Sequence, residues 1–300
     1  MDALIQSLVQ ANFAPERIIP RASMARYTTF RVGGPADVLV NIVDTREIAT
    51  ALRAAKHAGV NATIIGNGSK LLVRDGGIRG LVIRIAGDCS GIRREGDMVY
   101  AKAGISMSAA AQFALSEGLS GLAEIAGIPG TLGGGVIMNA GAYGGEIKDI
   151  CESVDIMRLD GSIVTLPAAE MDFSYRHSRL EREPGIVVSA VFRLTPKPET
   201  AIRELMQDLA KRRKASQPLE YPSAGSAFKR PVGGFAAALI DQAGLKGFQV
   251  GGAAVSEKHA GFVVNLGGAT AQDVIELLEQ VSQIVFDCSG IRLEPEVRIW

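Results

Sequence analysis

Glycine is clustered in this chain, and the clusters restrict what it can fold into more than any other feature. There are 35 glycines in 300 residues. Many fall in three short runs: Gly66-Asn67-Gly68-Ser69, Gly127-Ile128-Pro129-Gly130-Thr131-Leu132-Gly133-Gly134-Gly135, and Asn139-Ala140-Gly141-Ala142-Tyr143-Gly144-Gly145-Glu146. A glycine inside a regular element costs about 0.5–1 kcal/mol relative to alanine. Such runs therefore mark tight packing of neighbouring elements or backbone brought against a ligand. Two glycine-rich segments so close together between Gly118 and Gly145 favour the ligand.

Around these runs the pattern is mixed. Residues 2–12 read as an amphipathic helix, and 36–43 as a strand. Asp44 or Thr45 can cap a helix to about Ala58, stopped by Gly59. A short buried strand, 62–65, is broken at once by the first glycine run, after which a helix start is expected. Residues 81–85 read as a strand, and 92–94 with 98–102 as a hairpin about Gly96-Asp97. Ser106 caps a helix to Glu117, closed by Gly118. A second hairpin, 151–158 with 162–166, turns at Asp160-Gly161, the strongest local turn signal in the chain. Residues 186–194 form a long strand. After Pro196-Lys197-Pro198 come helices over 199–215, 235–243 and 271–286, then a strand-like C-terminus at 296–300. Without steady β-α-β alternation, the expected class is α+β.

The bulk numbers exclude several functions. Lys+Arg and Asp+Glu are both 32, so no electrostatic footprint for nucleic acid or an anionic membrane exists. Cys89, Cys151 and Cys288 are scattered, as are the three histidines, so no metal site is expected and the thiols read as idle in a reducing compartment. No signal-peptide pattern and no apolar run of about 18 residues occur, and a cytoplasmic location is expected. Leu71 stands where a Rossmann fingerprint needs its third glycine. Gly68-Ser69-Lys70 only mimics the end of a P-loop, and no G-x-S-x-G elbow exists.

Three further segments complete the picture: Phe173-Ser174-Tyr175-Arg176-His177-Ser178, Ala224-Gly225-Ser226-Ala227-Phe228-Lys229-Arg230-Pro231, and Leu293-Glu294-Pro295-Glu296-Val297-Arg298. Each alone reads as an ordinary surface stretch. Together with the glycine runs, in this order, and from Tyr27-Thr28-Thr29-Phe30-Arg31-Val32-Gly33-Gly34 to the C-terminus, the chain resembles the UDP-N-acetylenolpyruvoylglucosamine reductases. It is most similar to their shorter branch, which lacks a tyrosine-bearing loop.

The resemblance implies a two-subdomain FAD-binding module of the vanillyl-alcohol-oxidase type, residues 1–88 and 89–197. A substrate domain of α+β type, 198–300, would follow, with segment 294–300 returning to the flavin site. FAD would be held non-covalently by Gly66, Asn67, Gly68, Ser69, Lys70 and Leu71, and by Pro129, Gly130, Thr131, Gly133 and Gly134. Asn139, Ala140, Gly141, Ala142, Tyr143, Ile186 and Val187 would line the flavin. Arg176, Ser226 and Glu296 would be catalytic, and Tyr175, Lys229 and Arg230 would bind substrate. Lys229 could also assist Ser226 as proton donor. The implied reaction is NADPH-dependent reduction of UDP-N-acetylglucosamine enolpyruvate, without an obligatory protein partner. Another FAD-linked oxidase on the same module is the alternative. The chain departs from the family pattern at Lys70 and Arg230, where many members carry asparagine.

Overall fold

The structure, a computed structural model, describes residues 1–87 and 89–300. Two hydrophobic cores form, and each belongs to one compact unit. The first unit comprises residues 1–19, 38–67 and 80–212, and the second residues 20–37, 68–79 and 213–300. The three expected segments therefore do not map onto the compact units. Residues 20–37 and 68–79 group with the C-terminal part because Phe30, Val32 and Leu72 are buried in its core. Near the Pro-Lys-Pro run, the compact units divide at 212/213. The helix that follows, Glu199–Ser216, lays Met206 against the first core. The boundary expected at 88 lies outside the described residues.

The first unit is built on a five-stranded antiparallel sheet in the order Ile163–Pro167, Cys151–Met157, Ile186–Arg193, Met98–Lys102, Ile92–Glu95. Both expected hairpins are present: Gly96-Asp97 is a two-residue turn between Glu95 and Met98, and residues 158–162 join the other pair, closed by Gly161 N donating to Arg158 O at 2.9 Å. Strand Ala62–Ile65 pairs in parallel with Leu81–Arg84. Helix Thr45–His57 turns Ile48, Ala51, Ala54 and Ala55 to the core, a helical spacing. Burial pushes the Cys89 and Cys151 thiols up to about 11 and about 12, which suits packing and not nucleophilic chemistry.

That helix starts where the sequence places it. The Asp44 side chain accepts from Arg46 N at 2.8 Å, and Glu47 reaches back to the backbone N–H of Val43 at 3.0 Å. Arg17 clamps Glu47 with two bonds of 2.8 and 2.9 Å. The Arg46 guanidinium and backbone N–H hold the Asp44 carboxyl down from 3.8 to about 2. Asp44→Ala should cost about 1 kcal/mol of stability at neutral pH. Because the folded value is depressed, this contribution is complete above the ordinary value and fades as pH falls towards about 2. Urea unfolding of wild type and variant across that range checks it; a difference that grows on acidification would contradict the assignment.

The second unit holds an antiparallel sheet in the order Ser223–Ser226, Phe262–Asn265, Ala253–Val255, Gln249–Val250. Helix Ala271–Ser289 packs Val274, Ile275, Leu278, Val281 and Val285 into its core. Its first turn is held by Asp75, whose carboxylate accepts from Ala271 N at 2.8 Å and Gln272 N at 3.0 Å. This places a negative charge at a helix N-terminus. The helix start expected after Ser69 does not form. Leu71–Leu72 is instead a short strand paired in parallel with Arg298–Ile299. Backbone pairing with the far end of the chain overrides the local pattern.

Candidate active site

In the first unit, two glycine-rich segments distant in sequence meet. A Cβ built on Gly66 would lie 2.3 Å from Thr131 Oγ1, so only glycine lets the turn after strand Ala62–Ile65 seat against the second run. Thr131 caps the short helix Leu132–Ile137, accepting from Gly134 N at 3.4 Å. Half of the expected glycine loop is therefore helical. Gly130 N and Gly133 N donate to Ile128 O and Ala103 O at 2.8 and 2.9 Å, and a Cβ on Gly133 would come within 2.8 Å of Ala103 Cβ. Both glycines are buried, and their N–H groups are engaged within the protein. Pro129, just before Gly130, is exposed. By contrast, the backbone N–H groups of Gly66 and Asn67 have no protein acceptor among the described residues. In the second unit the same holds for Gly68 and Ser69. Leu71 is buried there, while Ile186 and Val187 are buried in the core of the first unit.

The third run is held by Asn139, which is 1 % exposed. Its amide donates to Glu146 Oε2 at 2.9 Å and to Ser174 O at 3.1 Å, and its carbonyl accepts from Lys148 N at 2.9 Å. The side chain is spent on building the site. Ser174 bridges His177 in antiparallel fashion, which puts Tyr175 and Arg176 at the tip of a tight loop. The Arg176 guanidinium lies 5.1 Å from the Tyr175 ring and 3.5 Å from Gly141 O. Lys148 beside Glu146, with lesser help from Asn139 and Arg176, keeps the Glu146 carboxyl below its ordinary range. Asn139, Tyr143 and Arg176 all have left-handed backbone, with φ of 40, 52 and 55°. For non-glycine residues this stores about 1–3 kcal/mol each and concentrates at functional sites. Ala140 is buried beneath them, while Gly141 and Ala142 pair with Glu146 and Gly145.

In the second unit, Ser226 ends strand Ser223–Ser226 and is half-buried. Its Oγ has no hydrogen-bond partner among the described residues. The C-terminal segment is stitched beside it: Glu296 N donates to Ala227 O at 2.8 Å, and Lys229 N to Glu294 O at 2.8 Å. Glu296 is 4 % exposed, and its Oε1 lies 2.8 Å from Lys70 Nζ. That ammonium also donates to Ser226 O at 2.8 Å. The expected helper of Ser226, Lys229, is engaged elsewhere, in an ion pair with Glu294. Another lysine, Lys70 from the first glycine run, stands beside the serine instead. Arg230 is exposed and lies 4.7 Å from the Phe235 ring.

Two contributors were not singled out from sequence. Thr29 Oγ1 donates to Ser223 O at 2.7 Å, fixing the strand that carries Ser226. Ser174 O receives the Asn139 amide. The first lies in the Tyr27–Gly34 motif, so its signal was present; the second is a main-chain atom and carries none.

Comparisons with known proteins identify the family. A family model described as FAD binding domain matches residues 36–167, and one described as UDP-N-acetylenolpyruvoylglucosamine reductase, C-terminal domain, matches residues 217–300. The open N–H groups at Gly66 and Asn67, and the close approach of Gly66 to Thr131, suit an anionic dinucleotide held by backbone. The fold and these turns thus define an FAD-dependent oxidoreductase.

The UDP-N-acetylenolpyruvoylglucosamine reductase of Levilactobacillus brevis is 46% identical over 96% of this chain and 94% of its own length. That of Latilactobacillus sakei is 49% identical over 92% and 91%. The crystal structure of the Thermus caldophilus reductase superposes with a TM-score of 0.81 at 38% identity, covering 94% of this chain and 98% of that one. The chain belongs to the UDP-N-acetylenolpyruvoylglucosamine reductase family.

Proposed function

We propose that this protein reduces the enolpyruvyl double bond of UDP-N-acetylglucosamine enolpyruvate to give UDP-N-acetylmuramate, with NADPH as the source of electrons. The reaction would supply peptidoglycan precursor in the cytoplasm. The observation that carries this reading is the match, along nearly the whole chain, with reductases named for that substrate. No helix among the described residues is long and apolar enough to cross a membrane, which is compatible with the location. When bound, FAD would relay two electrons from NADPH to the substrate.

The chain's own residues would do the rest. Gly66 and Asn67 would hold the cofactor's diphosphate through main-chain N–H groups, with Thr131 fixing their seat. Gly68 and Ser69 of the second unit carry further open N–H groups of the same kind. Reduction at the β-carbon places negative charge on the α-carbon and its carboxylate. Arg176 would meet that charge with a planar, permanently ionised guanidinium, held in place by the Tyr175 ring and the Asn139 network. Ser226, whose hydroxyl is not engaged by protein, would deliver the proton to the α-carbon. Glu296 would orient the reacting group from its buried position.

Lys229 and Arg230 would contact the UDP diphosphate. Replacing Lys229 by alanine should raise KM for the UDP-sugar roughly tenfold, the loss of one charge-assisted bond, with little change in kcat. An unchanged KM in steady-state assays would remove Lys229 from the substrate site. The reading as a whole is tested by NADPH consumption. It should depend on the UDP-sugar and yield a product two hydrogens heavier by mass spectrometry. Consumption that proceeds equally with oxygen alone would return the oxidase alternative.

A further inference from the structure

We propose that Lys70 is a positioning residue for the substrate-reducing half of the reaction, acting through Glu296 and the main chain of Ser226. This rests on the function proposed above. The Glu296 side chain is 2% exposed, and its carboxylate lies 2.8 Å from the Lys70 ammonium. The same ammonium donates to the Ser226 carbonyl at 2.8 Å. Glu296 N in turn donates to Ala227 O at 2.8 Å, so the lysine, the serine strand and the C-terminal segment close a ring of polar contacts.

The lysine is held at both ends. Its own carbonyl accepts from Arg298 N at 2.8 Å, two residues beyond Glu296. A Cβ built on Gly225 would lie 3.6 Å from its Nζ, so the ammonium is seated over the Gly225-Ser226 peptide. The bond to the carbonyl fixes the serine's backbone while leaving its Oγ unengaged by the protein.

This arrangement has a chemical consequence. A buried carboxylate is costly unless a cation compensates it. Beside a substrate on which negative charge builds, an uncompensated Glu296 would oppose the transition state. With Lys70 the pair is neutral, and Glu296 can orient the substrate without repelling it. Lys70 itself need not touch the reacting atoms.

The test is a double-mutant cycle on the FAD-loaded protein. The flavin is reduced by NADPH without oxygen, and its reoxidation by saturating UDP-N-acetylglucosamine enolpyruvate is timed in wild type, Lys70→Met, Glu296→Gln and the double variant. Lys70→Met should slow reoxidation about 10²-fold. In the Glu296→Gln background the same change should cost less than about threefold, because the charge it compensates is gone. Lys70→Arg should retain the rate to within about tenfold, and substrate affinity by calorimetry should stay within about threefold for all Lys70 variants.

An equal loss in both backgrounds, or no loss in the first, overturns the inference. Should Lys70→Met not accumulate with bound flavin, Lys70→Gln against Lys70→Arg carries the comparison, and equal rates for these two overturn it as well. Wild type that is not reoxidised by the UDP-sugar at all overturns the underlying function and this inference together. Wild type that is reoxidised, with an indifferent Lys70, overturns the inference alone.

Discussion

Ser226→Ala is expected to slow formation of the reduced UDP-sugar by roughly 10²–10⁴-fold, the usual worth of a positioned general acid, while flavin reduction by NADPH proceeds at close to the wild-type rate. The split follows from the serine's place. Its carbonyl is held by Lys70, its neighbour Ala227 donates to Gly261 O at 2.8 Å, and its hydroxyl is bonded to none of the described residues. Removing Oγ deletes a donor and breaks no hydrogen bond among the described residues. Ser226→Cys should keep more activity than alanine, since a thiol can still give a proton. Rapid-mixing measurements of the two half-reactions check both statements. If both half-reactions fell together in Ser226→Ala, or if cysteine were no better than alanine, the proton would have to come from elsewhere.

The second large effect concerns charge. Arg176→Met should lower the maximal rate of the same half-reaction by about 10²–10³-fold, the scale of losing one donor to a developing oxyanion. Lysine should restore only part of it, because an ammonium lacks the planar fork that meets a carboxylate. Asn139→Ala should give a smaller loss of the same kind. Its amide holds the Ser174 carbonyl at 3.1 Å, at the base of the loop that carries Arg176. A loss confined to FAD content in Asn139→Ala, with normal turnover per bound flavin, would show that the asparagine serves the cofactor and not the arginine.

What could be read from the sequence was mostly what is decided locally. The turns at Gly96-Asp97 and Asp160-Gly161 fix their own hairpins, and the Asp44–Glu47 capping box starts its own helix. The meeting of Gly66 with the Thr131 segment was not legible as a contact; only the resemblance grouped the two glycine runs. The misread stretch is instructive. Nothing within 66–72 indicates that Leu71 and Leu72 pair with Arg298 and Ile299, since that partner lies at the other end of the chain.

The same distance hid the role of Lys70, which by its neighbours in sequence belongs to a phosphate-binding turn and by its side chain belongs to Ser226 and Glu296. The two compact units were out of reach for a related reason. Each is assembled from three separated stretches, so no change in composition marks their boundaries. Arg176, Ser226 and Glu296 are chemically unremarkable by themselves, and the roles proposed for them rest on the resemblance.

The central claim is that electrons from NADPH pass through FAD to an enolpyruvyl UDP-sugar. Anaerobic absorbance in the flavin band tests it most directly. The purified protein should be yellow, lose its colour on addition of NADPH, and regain it within a single turnover on addition of UDP-N-acetylglucosamine enolpyruvate. Loss of colour with no recovery on adding the UDP-sugar, followed by recovery on admitting oxygen, would contradict the claim.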